Sequence, residues 1–572
     1  MFKSNIIITS LKRTYQVLPA FLRKKALFSI FLLFINSILE VAGLASILPL
    51  LMVILKNNII QENEFLKYIY NIFHFNSENT FIVFIASVVV FIIVLKNIFS
   101  LLISRYQVAF SFSIMEVFLL KLHQLYNQKG FLFFKKHNTN FIFRDIFSIP
   151  LRFAGSLIIG LLNLLNEFLI LILIVVGIIF YSPGALLILC LTMLPVFLIS
   201  YKLTKNKIKH IGEEVNRIAP ELNKNVIQSI FAYADIMISG TYHFFYKKIK
   251  NNIKLFADLS TQRTVFNLAP TKIIESSMVL SILIIIAYGL FFLPNKDNLV
   301  SLIGIYTLAA YRIMPSINRI TVALNGITEN QYNFDVIEQL KNEEVNFLNA
   351  HQEEINFNNE ISIENISFKY PEAKENVLTN YNLKIRKGET IGIIGKSGRG
   401  KTTLMNILLG FLSPDKGVVK IDDKILNKKN NRNWQKKLGY VQQEVYLLDA
   451  SLAENIAFGL NEKEIDYTKL DEVIKSAGLQ ELLKELPYGL KSRVGERGSQ
   501  LSGGQRQRIG IARALYFDAE VLFFDEATSS LDTETETQIT KSIEQLAGRG
   551  LTMIIIAHRE STLKNADRII KL

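Results

Sequence analysis

Cysteine is almost absent from this chain of 572 residues, whose single one, Cys190, lies inside an apolar run. A disulfide or a cysteine-based metal site within one chain is therefore excluded, and a catalytic thiol is disfavoured. The first 25 residues lack an apolar core ahead of Ala26. We therefore expect no cleavable signal peptide.

Long apolar runs are plentiful up to about residue 325, whereas residues 361–572 have the composition of a soluble α/β domain. Residues 1–25 predict an interfacial helix on the cytoplasmic surface, and the acid-rich segment 331–360 predicts a linker. Residues 26–330 predict a six-helix transmembrane domain. Its spans, each able to cross about 30 Å of hydrocarbon at about 1.5 Å per residue, lie near 26–55, from Thr80 onward, 150–180, 185–203, 268–293 and 299–327.

The formal net charge of +14 has two explanations. A basic protein can bind nucleic acid. Here, however, Lys and Arg crowd the loops after the second and fourth spans, as in the cytoplasmic loops of membrane proteins. We therefore expect membrane lipids and no nucleic acid as partners, with both termini in the cytoplasm.

A glycine-rich segment follows the strand-like run 390–394 and consists of Gly395, Lys396, Ser397, Gly398, Arg399, Gly400, Lys401 and Thr402. The spacing G-x-x-x-x-G-K-S/T predicts a P-loop rather than a chance glycine-rich turn. Glycines let successive N–H groups point at phosphate oxygens, and the following helix N-terminus adds positive potential. Lys401 is expected to reach the β- and γ-phosphates, and Thr402 to hold Mg²⁺.

Two carboxylates, Asp525 and Glu526, end a buried strand-like run further along the chain. Asp525 can bind Mg²⁺ through water, and Glu526 can act as the general base on an attacking water. His558 ends another apolar strand and can contact the γ-phosphate. Gln443 follows a strand and can reach Mg²⁺ or the attacking water.

A second predicted helix N-terminus lies in the segment Leu501-Ser502-Gly503-Gly504-Gln505. Its N–H groups suit a γ-phosphate. The segment 529–532, which ends in Asp532, directly follows the carboxylate pair. Each motif alone is weak evidence, but their fixed order leaves little room for chance.

In this order the motifs resemble the ATP-binding cassette of ABC transporters over residues 361–572. The resemblance implies a type IV exporter fold, an α-helical six-span transmembrane domain followed by an α/β P-loop cassette. It implies ATP hydrolysis, with Mg²⁺ held by Thr402, Gln443 and Asp525. It also implies an aromatic residue, Tyr370, on adenine. Further ATP contacts implied by the family are Thr403, Ser502, Gly503, Gly504, Gln505 and Asp532.

One P-loop and one LSGGQ segment occur in the chain. In the family, the LSGGQ segment of one cassette closes the ATP site of the other, which implies a half-transporter and a homodimer; a heterodimer stays open. Segments near 130–145 and 228–240 match the coupling loops. Departures from the family are Arg399 in the P-loop, Gln442 where proline is common, and an end at Leu572 without the usual final hairpin.

Charged residues inside the predicted spans are Glu40, Lys96, Lys272, Glu275, Arg312 and Arg319. Four basic residues cost roughly 10–14 kcal/mol if they face lipid. They therefore face a water-filled cavity or pair with Glu40, Glu167 or Glu275. Structural ion pairs and snorkelling are the alternatives to an anion-binding role. Arg312 and Arg319 are seven residues apart and are expected on one helix face.

The segment 311–320 resembles the sixth span of PglK-type flippases of lipid-linked oligosaccharides. Lys96 and Lys272 fall where those proteins tend to have arginine, and the amphipathic stretch 63–73 matches an external helix. The resemblance implies a polyprenyl-pyrophosphate oligosaccharide cargo, flipped to the outer leaflet of the bacterial cytoplasmic membrane. In it, Glu40, Lys96, Lys272, Arg312 and Arg319 form the substrate cavity.

Two other hypotheses stay open. The same machine could carry a lipid A-like lipid, a peptide or a drug. Apolar cations would be repelled by the basic residues, and residues 1–25 leave no room for a Cys/His protease domain. A soluble ATPase acting on nucleic acid or ribosomes is disfavoured by the six apolar spans.

Overall fold

The computed structural model describes residues 6–55, 60, 63–75, 77–181, 183–292, 296–342, 353–396, 398–527, 533–557 and 563–572. The chain divides into two compact units. The first comprises residues 1–129 and 133–347, and the second comprises residues 130–132 and 348–572.

The described residues up to 342 are almost entirely helical, in a part of the chain where Leu, Ile, Phe and Val form long runs. They are α1 (Ile6–Val17), α2 (Ala20–Ala45), α3 (Ile47–Leu55), α4 (Glu64–Ile72), α5 (Glu78–Gln128), α6 (Phe131–Lys136), α7 (Thr139–Phe143), α8 (Ile149–Arg152), α9 (Ile159–Tyr181), α10 (Pro183–Phe231), α11 (Tyr233–Ile238), α12 (Tyr242–Phe292), α13 (Lys296–Glu329), α14 (Tyr332–Ile337) and α15 (Gln339–Asn342). Two π-helical turns, Arg144–Ser148 and Phe153–Ile158, flank α8.

Three of these helices are much longer than a bilayer requires. Both α5 and α12 have 51 residues, and α10 has 49. At about 1.5 Å per residue each extends roughly 75 Å, more than twice the hydrocarbon thickness. The basic loops that the sequence analysis assigned to the cytoplasm are therefore continuations of the helices themselves.

Four helical segments within the described residues are long and apolar enough to cross a membrane: Ala20–Leu51, Glu78–Gln128, Thr139–Phe180 and Tyr242–Ala287. They match predicted spans one, two, three and five. The predicted spans near 185–203 and 299–327 are helical, within α10 and α13, but are not among these four segments.

The predicted interfacial helix over residues 1–25 is interrupted in the structure. Helix α1 ends at Val17, Pro19 stands at the N-cap of α2, and α2 begins at Ala20. Proline has no N–H to donate to the carbonyl four residues earlier, so it cannot continue α1, and it is tolerated at the start of the next helix. Residues 20–25 thus belong to the first long helix.

The predicted linker over 331–360 is wrong at both ends. Residues 332–342 form α14 and α15, and Phe334 is fully buried in the core of the first unit. Ile355 and Phe357 are buried in the core of the second unit. These apolar residues lie within an acid-rich segment, which is why its composition indicated a linker. Residues 343–352 of the segment lie outside the described part.

A salt-bridge cluster joins α1 to α14 and its C-cap residue. Arg13 Nε donates to Glu338 Oε1 at 2.7 Å, and Nη2 donates to Asp335 Oδ1 at 2.9 Å. The guanidinium carbon lies 4.6 Å from the centre of the Phe334 ring. The hydrogen bond to Glu338 raises the pKa of Arg13 above its ordinary value, so the side chain stays charged in the folded state.

Replacing Arg13 by alanine should lower the thermal midpoint of the purified protein by a few degrees. The side chain is only 25% exposed, and its loss leaves two carboxylates without a shared cation, for about 1–2 kcal/mol. Differential scanning fluorimetry in detergent measures this. The control is Lys12→Ala, at an exposed position on the same helix. Equal midpoints for both variants would contradict the prediction.

Residues 353–572 form the cassette around two sheets. Its strands are β1 (Glu360–Phe368), β2 (Leu378–Arg386), β3 (Thr390–Ile394), β4 (Lys416–Ile421), β5 (Lys424–Ile425), β6 (Leu438–Val441), β7 (Val521–Asp525), β8 (Thr552–Ile556) and β9 (Arg568–Lys571). Its helices are α16 (Lys401–Leu408), α17 (Asn431–Gln435), α18 (Leu452–Ile456), α19 (Tyr467–Ser476), α20 (Gln480–Glu485), α21 (Gly503–Tyr516) and α22 (Thr533–Ala547).

The two sheets differ in direction. An antiparallel sheet has the order β2-β1-β4-β5, and a parallel sheet has the order β6-β7-β8-β3-β9. All five residues of β8, and four of the five in β7, are buried. Near-continuous apolar strands of this kind are typical of a parallel sheet covered on both faces.

Candidate nucleotide site and membrane cavity

The parallel sheet brings most of the predicted ATP-site segments to one edge. In its register Val441 pairs with Phe524, Asp525 with Ile556, and Ile556 with Ile393. Neighbouring strands are about 4.8 Å apart. The Gln443 segment and the carboxylate pair therefore start from the adjacent carboxyl ends of β6 and β7, and the P-loop starts from that of β3, with β8 between β7 and β3. Ligands bind at this end of the strands in open α/β sheets.

The P-loop is curled by two glycines with left-handed backbones. Gly398 has φ +82° and Gly400 has φ +98°. A Cβ on Gly400 would lie 3.0 Å from Val377 Cγ1. Helix α16 then begins at Lys401, and its N-cap makes no side-chain hydrogen bond. The free N–H groups of this helix start suit phosphate oxygens.

Lys401 is already placed at this loop. It is only 5% exposed, and its Nζ donates to the carbonyl of Gly395 at 2.8 Å and to that of Lys396 at 3.4 Å. The ammonium group thus lies inside the curl rather than in solvent. Together with the helix start, it fits the phosphates of ATP. Thr402 is exposed at the same helix start, and Ser397 lies outside the described residues.

The carboxylate pair lies at the end of β7. Asp525 Oδ2 accepts a hydrogen bond from the Tyr440 hydroxyl at 3.2 Å. Burial, with the nearby Asp525 carboxylate, raises the pKa of Tyr440 above its ordinary value, so the hydroxyl remains a donor. The oxygen donors at this edge, the Asp525 carboxylate and the Thr402 hydroxyl, are of the kind that Mg²⁺ prefers.

Glu526 has an unusual backbone. Its φ is +49°, in the left-handed region, and its N–H donates to the carbonyl of Ile556 at 3.0 Å. Such conformations are unfavourable for non-glycine residues and cluster at functional sites. His558 and Asp532, which the sequence analysis also assigned to this site, lie outside the described residues.

The LSGGQ segment starts a helix, as predicted. Ser502 caps α21, where its Oγ accepts from the N–H of Gln505 at 3.2 Å and its own N–H donates to Gln505 Oε1 at 2.8 Å. Both side chains are thus used in a capping box. This leaves Gly503 and Gly504 as the part of the helix start without side chains.

Two residues that the sequence analysis did not select form hydrogen bonds between these segments. Gln507 Nε2 donates to the carbonyls of Gln442 at 3.0 Å and Gln443 at 2.6 Å, so α21 holds the backbone of the Gln443 segment. Tyr440 holds Asp525. The sequence could have indicated both residues, since each lies close to a motif. Gln507 lies one turn after Ser502 and Gly503, and Tyr440 lies three residues before Gln443.

Tyr370 lies beside the P-loop helix. Its hydroxyl is 3.2 Å from Thr403 Oγ1, and its ring makes an edge contact with Phe368 at 5.0 Å between centroids. Its stacking on adenine stays a prediction.

A cavity of about 680 Å³ lies within the first unit. Helices α2, α3, α5, α12 and α13 line it, with four of the predicted residues: Glu40, Lys96, Arg312 and Arg319. Arg312 and Arg319, which were expected on one helix face, both line this cavity. Pro315, between them, lies inside α13.

Lys272 is a different case. Among the described residues it does not line this cavity. Its side chain is 78% exposed and its Nζ lies 3.0 Å from Glu275 Oε2, one turn along the same helix. The predicted role of Lys272 in a substrate cavity stays a prediction, and this cavity does not include it. Helical spacing alone could not fix the rotation of α12.

Comparisons with known proteins cover both halves of the chain. The family described as ABC transporter matches residues 378–529. An ATP-dependent lipid A-core flippase from Alkalilimnicola ehrlichii is 44% identical over 212 residues, 37% of this chain and 36% of that protein. The leukotoxin translocation ATP-binding protein LktB of Mannheimia glucosida is 45% identical over 211 residues, 37% of this chain and 29% of that protein. Such alignments span about a third of each relative.

A longer alignment exists with an ATP-dependent lipid A-core flippase from Coxiella burnetii. It is 30% identical over 421 residues, which are 73% of this chain and 68% of that protein. Among solved structures, a bacterial Atm1-family ABC exporter with ATP bound has a TM-score of 0.76 at 20% identity, over 96% of this chain and 93% of that chain. The predicted fold class is thereby confirmed.

Proposed function

Because this chain belongs to the ABC transporter family, as a half-transporter of the exporter type, we propose that it is an ATP-driven translocase for an anionic lipid. The alignment with the Coxiella burnetii relative supports this. It covers 421 residues, and the cassette, residues 361–572, can supply only about half of them. The rest lie in the helical part, which meets the cargo.

The proposed cargo is a phosphorylated glycolipid. The relatives are named lipid A-core flippases, which favours a lipid A-like molecule over the oligosaccharide-carrying polyprenyl pyrophosphate that the sequence alone suggested. Lys96, Arg312 and Arg319 line the cavity, and guanidinium groups bind phosphate well through their planar forks. The polyprenyl pyrophosphate stays the second candidate, since Tyr311–Arg319 contributes much of the cavity wall.

The proposed energy source for transport is ATP hydrolysis at the carboxyl end of the parallel sheet. Lys401 and the start of α16 bind the phosphates, and Glu526 accepts the proton of the attacking water. Thr402, Asp525 and Gln443 would hold Mg²⁺, which supplies positive charge to the phosphates when bound. Tyr440 orients Asp525, and Gln507 positions the Gln443 segment. A second copy of the chain would supply its LSGGQ segment to this site.

The proposed location is the cytoplasmic membrane of a bacterium, with the cassette in the cytoplasm. Four described helical segments are apolar enough to span a bilayer, and the basic extensions of α10 and α12 favour the cytoplasmic side.

Arg319→Gln should reduce ATP-dependent lipid movement about tenfold, while basal ATP hydrolysis stays within about twofold of wild type. Its side chain is 57% exposed and its charge is the most accessible of the three, so cargo phosphate loses a charge-assisted contact. Flipping of a fluorescent phosphorylated glycolipid in proteoliposomes measures this. Arg217→Gln, on an exposed arginine paired with Glu214, is the control. Equal transport by both variants would contradict the anionic-cargo proposal.

A further inference from the structure

The cations of the membrane cavity are largely neutralised by carboxylates of the same chain. Lys96 Nζ lies 3.0 Å from Glu40 Oε2, and Arg319 Nη1 lies 2.8 Å from Glu167 Oε1. Arg312 stands between the two carboxylates, 3.8 Å from Glu40 and 3.5 Å from Glu167. Four helices, α2, α5, α9 and α13, therefore share one ionic network.

The network has an excess of positive charge. Three cations against two carboxylates leave one positive charge per chain. Glu167 is only 1% exposed, and it also accepts a hydrogen bond from the Ser316 hydroxyl at 2.6 Å. Its oxygens are thus held by Arg319 and Ser316, so its carboxylate is fixed behind the two arginines that line the cavity.

Arg312 is the cation with the weakest compensation. It is nine-tenths buried, and both of its carboxylate contacts are longer than a hydrogen bond. Among the residues that the structure describes, its Nε is buried without a hydrogen-bond partner. Its Nη1 donates to Ser316 Oγ at 3.2 Å. Since Arg312 lines the cavity, an anionic group there would meet an incompletely paired guanidinium.

We propose that Glu40 and Glu167 are specificity-determining residues, which set how much negative charge on a lipid head group the cavity accepts. This rests on the proposed function. The two carboxylates act as internal counter-anions for Lys96, Arg312 and Arg319. A lipid head group brings further negative charge into the cavity. It can pair with the one uncompensated positive charge, but any further pairing must break an ion pair between a cavity cation and Glu40 or Glu167.

The charge balance of the network determines which way the preference among head groups should change. Removing either carboxylate charge raises the excess from one to two positive charges per chain. Opposite charges at a few ångströms interact strongly where water is scarce, so the variant cavity gains most for the more highly charged head group. A purely structural network behaves differently. Its loss weakens the fold, as breaking a buried pair does, without changing the preference among head groups.

The test compares binding of two probes by the full-length chain in nanodiscs. The probes are radiolabelled lipid A carrying one phosphate group and lipid A carrying two. Glu40→Gln and Glu167→Gln should each shift the ratio of the two Kd values toward the doubly phosphorylated probe by about tenfold. Glu275→Gln is the matched control, because that carboxylate pairs with Lys272 outside the cavity. It should leave the ratio unchanged.

The outcomes separate the inference from the proposed function. If wild type binds neither probe but still hydrolyses ATP, the proposed anionic cargo is wrong, and the inference falls with it. If wild type binds the probes and the ratio is the same in all variants, the inference alone is overturned. Should Glu167→Gln fail to fold, Glu40→Gln decides, since the Glu40 side chain is 19% exposed and less dependent on its partners.

Discussion

Glu526→Gln should reduce ATP turnover by at least about a hundredfold while leaving ATP binding within a few-fold of wild type. Glutamine keeps the size of the side chain but cannot accept the proton of an attacking water. The left-handed φ of +49° and the hydrogen bond to the Ile556 carbonyl are backbone features, so the substitution leaves them in place. The site should therefore still bind nucleotide.

Phosphate release measures turnover, and a fluorescent ATP analogue measures binding. The control is Glu544→Gln, at an exposed position on α22, which should match wild type in both assays. Near-normal hydrolysis by Glu526→Gln would refute the role of Glu526 as general base. Loss of both binding and hydrolysis would instead indicate that the substitution has damaged the fold of the sheet edge.

Lys401→Met should weaken ATP binding by about 10²–10³-fold, and turnover should fall with it. The buried ammonium group supplies charge-assisted hydrogen bonds to phosphate, each worth about 1.5–3 kcal/mol. Methionine fills nearly the same volume in a position that is 5% exposed, so packing is preserved. The Gly395 carbonyl, which accepts from Lys401 Nζ at 2.8 Å, loses that donor.

Titration calorimetry with ATP measures the affinity directly. Lys416→Met, at an exposed position on β4, is the control for loss of one positive charge. Unchanged affinity in Lys401→Met would show that this lysine does not bind phosphate. The contrast with Glu526→Gln is informative, because one variant should lose binding and the other should lose only the chemical step.

Most of the nucleotide site could be predicted from the sequence because its motifs are local. A strand, a glycine-rich turn and a helix start are contiguous in residues 390–408. The order of the sheet then places Asp525 at the same end as this loop, two strands away. Tyr440 and Gln507 could not be assigned in this way, since their partners are found only when β6, β7 and α21 are packed together.

The membrane half was less predictable from the sequence. Apolar runs predict helices, but the rotation of each helix is decided by packing. This is why Arg312 lies in the cavity as predicted, whereas Lys272 lies outside it. It is also why the linker was misassigned. Phe334 is buried against Arg13 of α1 and the ring of Phe153, and Phe357 is buried in the cassette core, within a stretch whose composition is acidic.

The ionic network changes how the basic residues are understood. From the sequence, four cations in the spans indicated an attractive surface for an anion. In the structure, Glu40 and Glu167 compensate two of the three positive charges that line the cavity. The cavity's selectivity should therefore depend on the acidic residues as much as on the basic ones.

The central claim is that ATP hydrolysis in this chain drives a phosphorylated glycolipid across the membrane. Its most direct test is flipping of lipid A-type and polyprenyl-pyrophosphate glycolipids in proteoliposomes, with wild type compared with Glu526→Gln. We predict ATP-dependent flipping of at least one of these lipids by wild type and none by the variant. Wild-type protein that hydrolyses ATP but moves neither lipid would contradict the claim.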